Sequence, residues 1–223
     1  MAIKVASYFK RKADMSVEDF QRYWRTQHAE VVQGLPNLQR YVQNHVLAAS
    51  YAQADPPFDG VAEVWFESIE VMRANAGHPA LAQVREDEAN FIDGASMSEM
   101  LCSEHVVKVP EPGVPAVKLM ALVKRRDDVT LEDFKVRYGE VLADMVCRIP
   151  DVAGYIQAYC RAGAYRDGAE PPFDVLASLF LADAAALTSL IGSEAMAAVR
   201  EYEVGLFRMD SIRAAVVREV PVV

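Results

Sequence analysis

An internal repeat constrains the fold of this chain more than any other sequence feature. The segment Ser16-Val-Glu-Asp-Phe20 returns as Thr130-Leu-Glu-Asp-Phe134, which sets an offset of 114 residues between Phe20 and Phe134. Segments that recur in the same order along both halves indicate two copies of one structural unit. The later matches are Pro56-Pro-Phe-Asp59 with Pro171-Pro-Phe-Asp174, Val84-Arg-Glu86 with Val199-Arg-Glu201, and Val106-Val-Lys108 with Val216-Val-Arg218.

The repeat predicts two domains, residues 1–109 and residues 116–223, joined by a linker at residues 110–115. The linker sequence Pro110-Glu-Pro-Gly-Val-Pro115 is rich in proline and glycine, which interrupt both helices and strands. Ser16 and Thr130 are predicted to cap the first helix of each half. Strands are predicted at 3–9, 38–46, 61–66 and 101–109, then at 117–123, 152–161, 176–181 and 212–220; the second helices are predicted at 79–91 and 194–207.

Each half therefore has the order βαββαβ. This order gives a four-stranded antiparallel sheet with both helices on one face. The other face of each sheet would be bare, and two such sheets can cover each other. The predicted fold class is α+β, with two tandem ferredoxin-like units whose antiparallel sheets pack face to face as an intrachain α/β barrel.

Charge and composition limit the partners of this chain. The formal net charge is −9, and no basic run is longer than Lys124-Arg125-Arg126, so binding to nucleic acid or to an anionic membrane is not expected. No signal peptide and no membrane span are predicted. The widely spaced Cys102, Cys147 and Cys160 favour a reduced, cytoplasmic protein. The sequence leaves open whether two chains form a homodimer.

Four motifs in the first half resemble the EthD family of dimeric α/β-barrel proteins. The resemblance covers nearly all of residues 3–109 and, more weakly, residues 117–220. It implies a role in catabolism of aromatic compounds, although related proteins include isomerases, polyketide cyclases, dehydratases and haem-degrading oxygenases. The motifs are Phe20-x2-Tyr-Trp-x3-His28, Leu35-Pro-Asn-Leu, Tyr41-Val-Gln-Asn44 and Val64-Trp-Phe66.

The first half is also similar to methylmuconolactone methylisomerases. That similarity implies an active histidine on the first helix, which is His28, and a tyrosine on the next strand, which is Tyr41. A loop histidine that the similarity also implies has no counterpart, because residues 48–60 contain no histidine.

His28 is the first catalytic candidate. It follows Phe20 and Trp24 on the apolar face of the first helix, where a histidine is either a hydrogen-bonded core residue or an acid/base group. Its counterpart in the second half is Leu142, which cannot transfer a proton. This asymmetry predicts one chemical pocket and one copy that serves packing alone.

The second strand supplies further candidates. Gln39, Tyr41, Gln43 and His45 share one face by alternation, and this polar face is predicted to point into the cavity between the sheets, with Leu38, Val42 and Val46 towards the helices. Tyr41 and His45 are catalytic candidates, and a solvated strand face is the competing interpretation. The same face of the second half offers the substrate-binding candidates Tyr155, Tyr159 and Arg161, and the family motif adds Asn44.

Glu63 is a fourth catalytic candidate, since a carboxylate in an apolar cavity has a raised pKa. The competing interpretation places it at the rim. Trp24 and Trp65, with Phe66, are predicted to provide apolar surface for a substrate, and His105 to bind substrate from the last strand. No histidine pair has metal-ligand spacing, so no metal site is predicted.

These features predict a cofactor-independent lyase, isomerase, cyclase or dehydratase. Its substrate would be a small apolar compound, aromatic or lactone-like, with His28 transferring a proton and Tyr41 donating a hydrogen bond. Two alternatives remain: a haem-binding or oxygenase protein with His28 or His105 as axial ligand, and a non-catalytic ligand-binding protein.

Overall fold

The computed structural model describes residues 2–110 and 117–223. The chain divides into two compact units, one formed by Met1–Ser103 with Val217–Val223 and the other by Glu104–Val216. The units therefore end inside the final strand of each repeat, and not at the repeat boundary. Apart from Pro110, the predicted linker lies outside the described residues.

The first repeat contains four strands and a long first helix that changes type along its length. The helix is α-helical over α1 (Val17–Tyr23), π-helical over Trp24–His28 and α-helical again over α2 (Ala29–Gln33). The strands are β1 (Ile3–Phe9), β2 (Arg40–Val46), β3 (Gly60–Phe66) and β4 (Ser98–Lys108), and the remaining helices are α3 (Ala48–Tyr51), α4 (Ile69–Ala74) and α5 (Pro79–Glu88).

The second repeat follows the same plan, including the π-helical segment at Arg137–Leu142. Its strands are β5 (Val117–Val123), β6 (Val152–Cys160), β7 (Val175–Leu181) and β8 (Arg213–Pro221). Its α-helices are α6 (Leu131–Val136), α7 (Ala143–Cys147), α8 (Ala184–Gly192) and α9 (Glu194–Val204), with 3-10 turns at Ala162–Gly168 and Met209–Ser211.

The predicted helix caps are confirmed. The Ser16 hydroxyl accepts a hydrogen bond from the Asp19 backbone N–H at 3.0 Å, and the Thr130 hydroxyl does the same for Asp133 at 3.1 Å. These bonds satisfy N–H groups that have no partner within the helix. The helices α3, α4 and α8 were not predicted, because runs of four, six and nine residues carry little periodic signal.

The sheets are antiparallel. The hydrogen-bonded order is β4-β1-β3-β2-β8 in the first unit and β8-β5-β7-β6-β4 in the second. The last residues of the chain complete the first sheet, because β2 pairs with β8 from Val42 with Pro221 to Val46 with Val217. The α+β class with two ferredoxin-like units is confirmed. None of the helices in the described ranges is long and apolar enough to cross a membrane.

Candidate functional site

A cavity of about 480 Å³ lies within the first unit, between the sheet and the helices that cover it. This volume falls in the range of sites that enclose a small organic ligand. Apolar side chains form most of its wall, among them Val5, Phe9, Trp24, Val32, Val64, Phe66 and Leu101. The polar residues at its wall include Ser7, His28, Tyr41, Arg73, Asn75, Arg85, Glu88 and Glu99.

His28 combines a cavity position with a carboxylate partner. It is buried at the end of the π-helical segment, and its Nδ1 lies 2.7 Å from Oδ2 of Asp87, a residue of α5. A carboxylate at this distance favours the tautomer in which Nδ1–H donates to Asp87. Nε2 is then the unprotonated nitrogen available to a ligand in the cavity.

Three side chains hold Asp87 in place. The Tyr23 hydroxyl donates to Oδ1 at 2.7 Å, Asn90 donates to the same oxygen at 3.2 Å, and His28 bonds to the other oxygen. Partial burial acts to raise the pKa of Asp87, but the hydrogen bonds from these three residues outweigh it and lower that pKa. Asp87 is thus ionised at neutral pH and fixes the orientation of the imidazole.

Burial lowers the pKa of His28 below its usual value, although the hydrogen bond and the negative charge of Asp87 act in the opposite direction. The imidazole is therefore neutral at pH 7 and can accept a proton. Desolvation decides the resting state, and Asp87 stabilises the imidazolium that forms when the ring is protonated.

Tyr41 presents a hydroxyl to the same cavity. It accepts hydrogen bonds from the Trp24 indole at 2.9 Å and from Gln43 Nε2 at 3.0 Å. An indole N–H can only donate, so the phenol proton of Tyr41 is not used by Trp24. Burial raises the pKa of Tyr41, although the hydrogen bonds from Gln43 and Trp24 act to lower it, so the phenol remains a hydrogen-bond donor.

The predicted orientation of β2 is wrong. Tyr41 and Gln43 point towards the helix and not away from it, because Gln43 donates to the backbone carbonyl of Trp24 at 2.7 Å. Asn44 lies on the opposite face, where it donates to Glu63 Oε2 at 2.9 Å. Tyr41, Gln43 and His45 do share one face, but they are buried against the helix, whereas Gln39 is exposed and precedes the strand.

His45 supports this network and is absent from the cavity wall. Its Nε2 bonds to Gln43 Oε1 at 2.9 Å, and its ring packs against Trp24 with 4.4 Å between centroids. Burial and then the charge of Arg25 lower its pKa to about 3, so the ring is neutral. His45 positions Gln43, which in turn positions the Tyr41 hydroxyl.

Glu88 and Arg85 of α5 add charge to the cavity. Arg85 Nη1 donates to both oxygens of Glu88, at 3.2 and 3.0 Å, and its Nη2 donates to Glu99 at 2.7 Å. Burial raises the pKa of Glu88 above its usual value, and Arg85 opposes this shift. The Glu88 side chain is 15% exposed and that of Glu99 is 41% exposed, so Glu88 is the more enclosed carboxylate.

The second unit has an apolar core where the first has His28 and Asp87. Leu142 and Tyr202 occupy the equivalent positions, and Leu142 belongs to a large buried cluster. Trp24 is replaced by Tyr138, whose hydroxyl shares a 2.9 Å hydrogen bond with Tyr155, the counterpart of Tyr41. Gln157 donates to Tyr155 at 3.0 Å, as Gln43 does to Tyr41.

Gly60 makes room for Trp24. A Cβ at Gly60 would lie 2.4 Å from Cζ3 of the indole, which is too close for any side chain. The counterpart of Gly60 is Val175, a fully buried residue in the cluster that contains Tyr138. In the first unit the larger ring, Trp24, is thus paired with the smaller strand residue, Gly60. In the second unit the smaller ring, Tyr138, is paired with the larger strand residue, Val175.

Comparison with known families identifies the segment that carries this site. The model of the EthD domain matches residues 12–95, which include His28, Tyr41, Asp87 and Glu88. Residues 12–95 are an EthD domain. The family predicted from the sequence motifs is therefore confirmed for the first repeat, in which the cavity lies.

Solved structures show where this fold occurs elsewhere. An anthrone oxidase-like protein aligns with a TM-score of 0.68 and 10% sequence identity, over 98% of this chain and 91% of that chain. A chlorite dismutase from Candidatus Nitrospira defluvii aligns with a TM-score of 0.60 and 8% identity, over 99% of this chain and 92% of that chain. At these identities the likeness shows a shared fold. A search of curated proteins found no significant match.

Besides His45, three predicted site residues of the EthD domain lie outside the cavity: Asn44, Glu63 and Trp65. Glu63 forms an ion pair with Lys4 and accepts from Asn44, on the sheet face opposite Tyr41. Trp65 is on this face too, with the Lys4 ammonium 5.1 Å and the Arg40 guanidinium 4.5 Å from its ring centroid. Alternation along β3 places Glu63 and Trp65 away from Ala62, Val64 and Phe66, which line the cavity.

The other candidates lie in the second unit, not in the EthD domain. His105 is exposed, and Arg161 follows β6 directly. Tyr155 is buried in the apolar core, and Tyr159 donates to Gln157 at 2.7 Å. The cavity of the first unit therefore gathers Trp24, His28 and Tyr41, whereas His105, Tyr155, Tyr159 and Arg161 belong to the second unit.

Sequence reasoning missed Asp87 and Glu88. Asp87 is 59 residues from His28, so no local spacing connects them. The repeat does contain a signal: His28 and Asp87 are both replaced in the second half, by Leu142 and Tyr202, while neighbouring residues such as Arg85 and Glu88 are kept as Arg200 and Glu203. Among the described residues, no group of three or more potential metal ligands is present.

Proposed function

We propose that the first unit is a cofactor-independent proton-transfer enzyme of the lyase, isomerase, cyclase or dehydratase type. One observation carries the proposal: a neutral histidine lines an apolar cavity while an ionised aspartate occupies its Nδ1 at 2.7 Å. A neutral imidazole oriented by a carboxylate is a suitable general base near neutral pH. Its substrate is a small aromatic or lactone-like carbonyl compound.

In the proposed mechanism, Nε2 of His28 removes a proton from a carbon next to the substrate carbonyl. Negative charge then develops on the carbonyl oxygen, and the Tyr41 hydroxyl donates a hydrogen bond to it. Asp87 stabilises the imidazolium. The imidazolium then returns its proton to the substrate. Return to the same carbon gives exchange alone, return to a second position gives isomerisation, and transfer to a leaving hydroxyl group gives dehydration.

The apolar wall favours this chemistry in two ways. Phe9, Phe66 and Trp24 provide surface for an aromatic or alicyclic ring. They also keep water away from the reacting groups, which strengthens the hydrogen bond from Tyr41 to a developing oxyanion.

The alternative is a haem-binding or oxygenase protein. Its support is the same histidine, whose Nε2 is free of Asp87, together with the names of two proteins of this fold, an anthrone oxidase-like protein and a chlorite dismutase. The charges fit haem poorly. Glu88 and Glu99 would repel haem propionates, and the Arg85 guanidinium, which would attract them, is bonded to both carboxylates.

Proton exchange tests the proposal without knowledge of the natural reaction. The full chain is incubated in D₂O with 1-tetralone and with small lactones, and the loss of the C–H signal next to the carbonyl is followed by NMR. We expect exchange above the buffer rate that falls by about 10²-fold or more in His28→Gln. Leu142→Met, at the equivalent position of the second unit, should exchange at the wild-type rate.

Two results would contradict the proposal: exchange by His28→Gln at the wild-type rate, or exchange by the wild type no faster than in buffer for every probe. A Soret band on titration with haemin that is lost in His28→Gln would support the haem alternative. Oxygen consumption that accompanies loss of the probe would support an oxygenase.

A further inference from the structure

We propose that the cavity binds a neutral aromatic ketone that also carries a hydroxyl group, and that this hydroxyl donates a hydrogen bond to Glu88. The inference rests on the proposed function, in that the cavity is taken as the substrate site. It adds the polar groups of the substrate, which are a ketone and a hydroxyl, and it names Glu88 as the residue that binds the hydroxyl.

Glu88 has the acceptor capacity for such a contact. It lines the cavity, and its side chain is 15% exposed. A single guanidinium nitrogen of Arg85 approaches both of its oxygens, at 3.2 and 3.0 Å. An ionised carboxylate offers about four acceptor positions. A substrate hydroxyl can therefore be accepted while the Arg85 bonds remain.

The hydrogen-bonding groups of the cavity define a complementary ligand. Tyr41 offers a donor, and Nε2 of His28 and the Glu88 carboxylate offer acceptors. The matching ligand has a carbonyl for Tyr41, an acidic C–H bond for His28 and a hydroxyl for Glu88. A ligand carboxylate has acceptors alone, so it would place its lone pairs against those of Glu88 or His28.

The charges at the cavity also disfavour an anionic ligand. Arg85 is bonded to Glu88 and to Glu99, so its charge is already balanced by two carboxylates. Arg73 also lines the cavity, but it is exposed and its attraction for an anion is screened by solvent. A neutral hydroxyl avoids the cost of placing an anion beside the enclosed Glu88 carboxylate.

Three tetralones that differ at one position test the inference by calorimetric titration of the full chain. They are 5-hydroxy-1-tetralone, 5-methoxy-1-tetralone and 1-tetralone-5-carboxylate. We expect the hydroxy compound to bind at least about tenfold more tightly than either of the others, since a hydrogen bond to a charged acceptor contributes this much. Glu88→Gln should reduce that preference, whereas Glu203→Gln, the equivalent change in the second unit, should leave it unaltered.

The comparison of three ligands on the wild type does not depend on how well the variant folds. Equal or tighter binding of the carboxylate, binding of none of the three compounds, or an unchanged preference in a folded Glu88→Gln protein would each overturn the inference. Binding with the expected preference but without proton exchange would support the inference and contradict the proposed function. Proton exchange without a preference for the hydroxy compound would support the proposed function and contradict the inference.

Discussion

Nδ1 of His28 lies 2.7 Å from Oδ2 of Asp87, and the second repeat has neither residue. Sequence reasoning treated a core hydrogen-bonding role and a cavity role for His28 as alternatives, but the structure combines them. Replacement of His28 by Ala should therefore lower the stability by about 1–3 kcal/mol as well as abolish proton exchange, because the carboxylate loses a buried partner. Melting curves and exchange rates of the variant would show both effects.

Asp87→Asn should slow exchange less than His28→Gln does, since the base is retained but its imidazolium is less stabilised. Asp87 acts to raise the pKa of His28, so this pKa should fall further in the variant. The acid limb of the pH–rate profile should then move to lower pH. An acid limb that moves to higher pH would show that Asp87 does not act on His28 in this way.

The variants Tyr41→Phe and Tyr155→Phe distinguish a chemical role of the tyrosine hydroxyl from a role in packing. Each change removes an acceptor from a glutamine N–H, Gln43 in one unit and Gln157 in the other, so each should cost about 1–3 kcal/mol of stability. Only Tyr41→Phe should slow proton exchange. Similar slowing by both variants in proteins that remain folded would mean that Tyr41 has no donor role.

His45 should make the protein less stable in acid. Its pKa is lowered from 6.5 to about 3, so it is neutral in both the folded and the unfolded chain above pH 6.5. As the pH falls from 6.5 towards 3, the unfolded chain takes up a proton that the folded chain excludes, and stability falls by about 1.4 kcal/mol for each pKa unit of the shift.

His45→Gln should flatten this dependence, because glutamine can still donate to Gln43 and does not titrate. Denaturant unfolding at about pH 7 and pH 4.5 measures the difference between variant and wild type. Tyrosine, found at the equivalent position 159, is a poorer choice. A Cβ added at Gly139 would lie only 3.1 Å from the Tyr159 hydroxyl, so the tyrosine of the second repeat packs beside a glycine. The first repeat has Arg25 at the position equivalent to Gly139, and this side chain would crowd a tyrosine at position 45. Identical pH dependence in wild type and variant would contradict the prediction.

Gly60→Ala should destabilise the first unit by about 1–3 kcal/mol, the usual effect of excess volume in a packed core. The new methyl group would displace the Trp24 indole and with it the Tyr41 hydroxyl, so exchange should also slow. Gly94→Ala is the matched control, since a Cβ there meets nothing within 4 Å. Thermal melting and exchange rates of the two variants, compared with wild type, test this.

Each half expressed alone should be insoluble or self-associated. A fragment of residues 1–110 lacks the segment Val217–Pro221 that pairs with β2, so it exposes the edge of that strand. Size-exclusion chromatography of fragments 1–110 and 115–223 provides the measurement. Two soluble monomeric fragments with sharp melting transitions would show that the halves fold independently.

The repeat made most of the fold predictable. Strand β1 at Ile3–Phe9 and strand β5 at Val117–Val123 have the predicted bounds, and Ser16 and Thr130 cap the predicted helices. Local signals determine these features: alternation determines strands, and a side-chain oxygen that accepts from the first helical turn determines the helix start.

The face of β2 was not predictable from the same rules. Alternation correctly grouped Tyr41, Gln43 and His45, but every residue from Tyr41 to Val46 is buried, so burial does not distinguish the two faces. The Trp24 indole and backbone carbonyl decide the orientation, because they provide partners for Tyr41 and Gln43. Such a long-range pairing leaves no periodic pattern in the sequence.

The absence of a side chain at Gly60 marks a difference in packing between the two repeats. In the second repeat a buried valine fills that space and a tyrosine stands in place of the tryptophan, so the larger strand residue accompanies the smaller ring. Either change alone would crowd the core or leave a void. Exchanging the two pairs between the units one residue at a time would therefore pass through a protein with a strained or a hollow core, so the two positions of each pair have to change together.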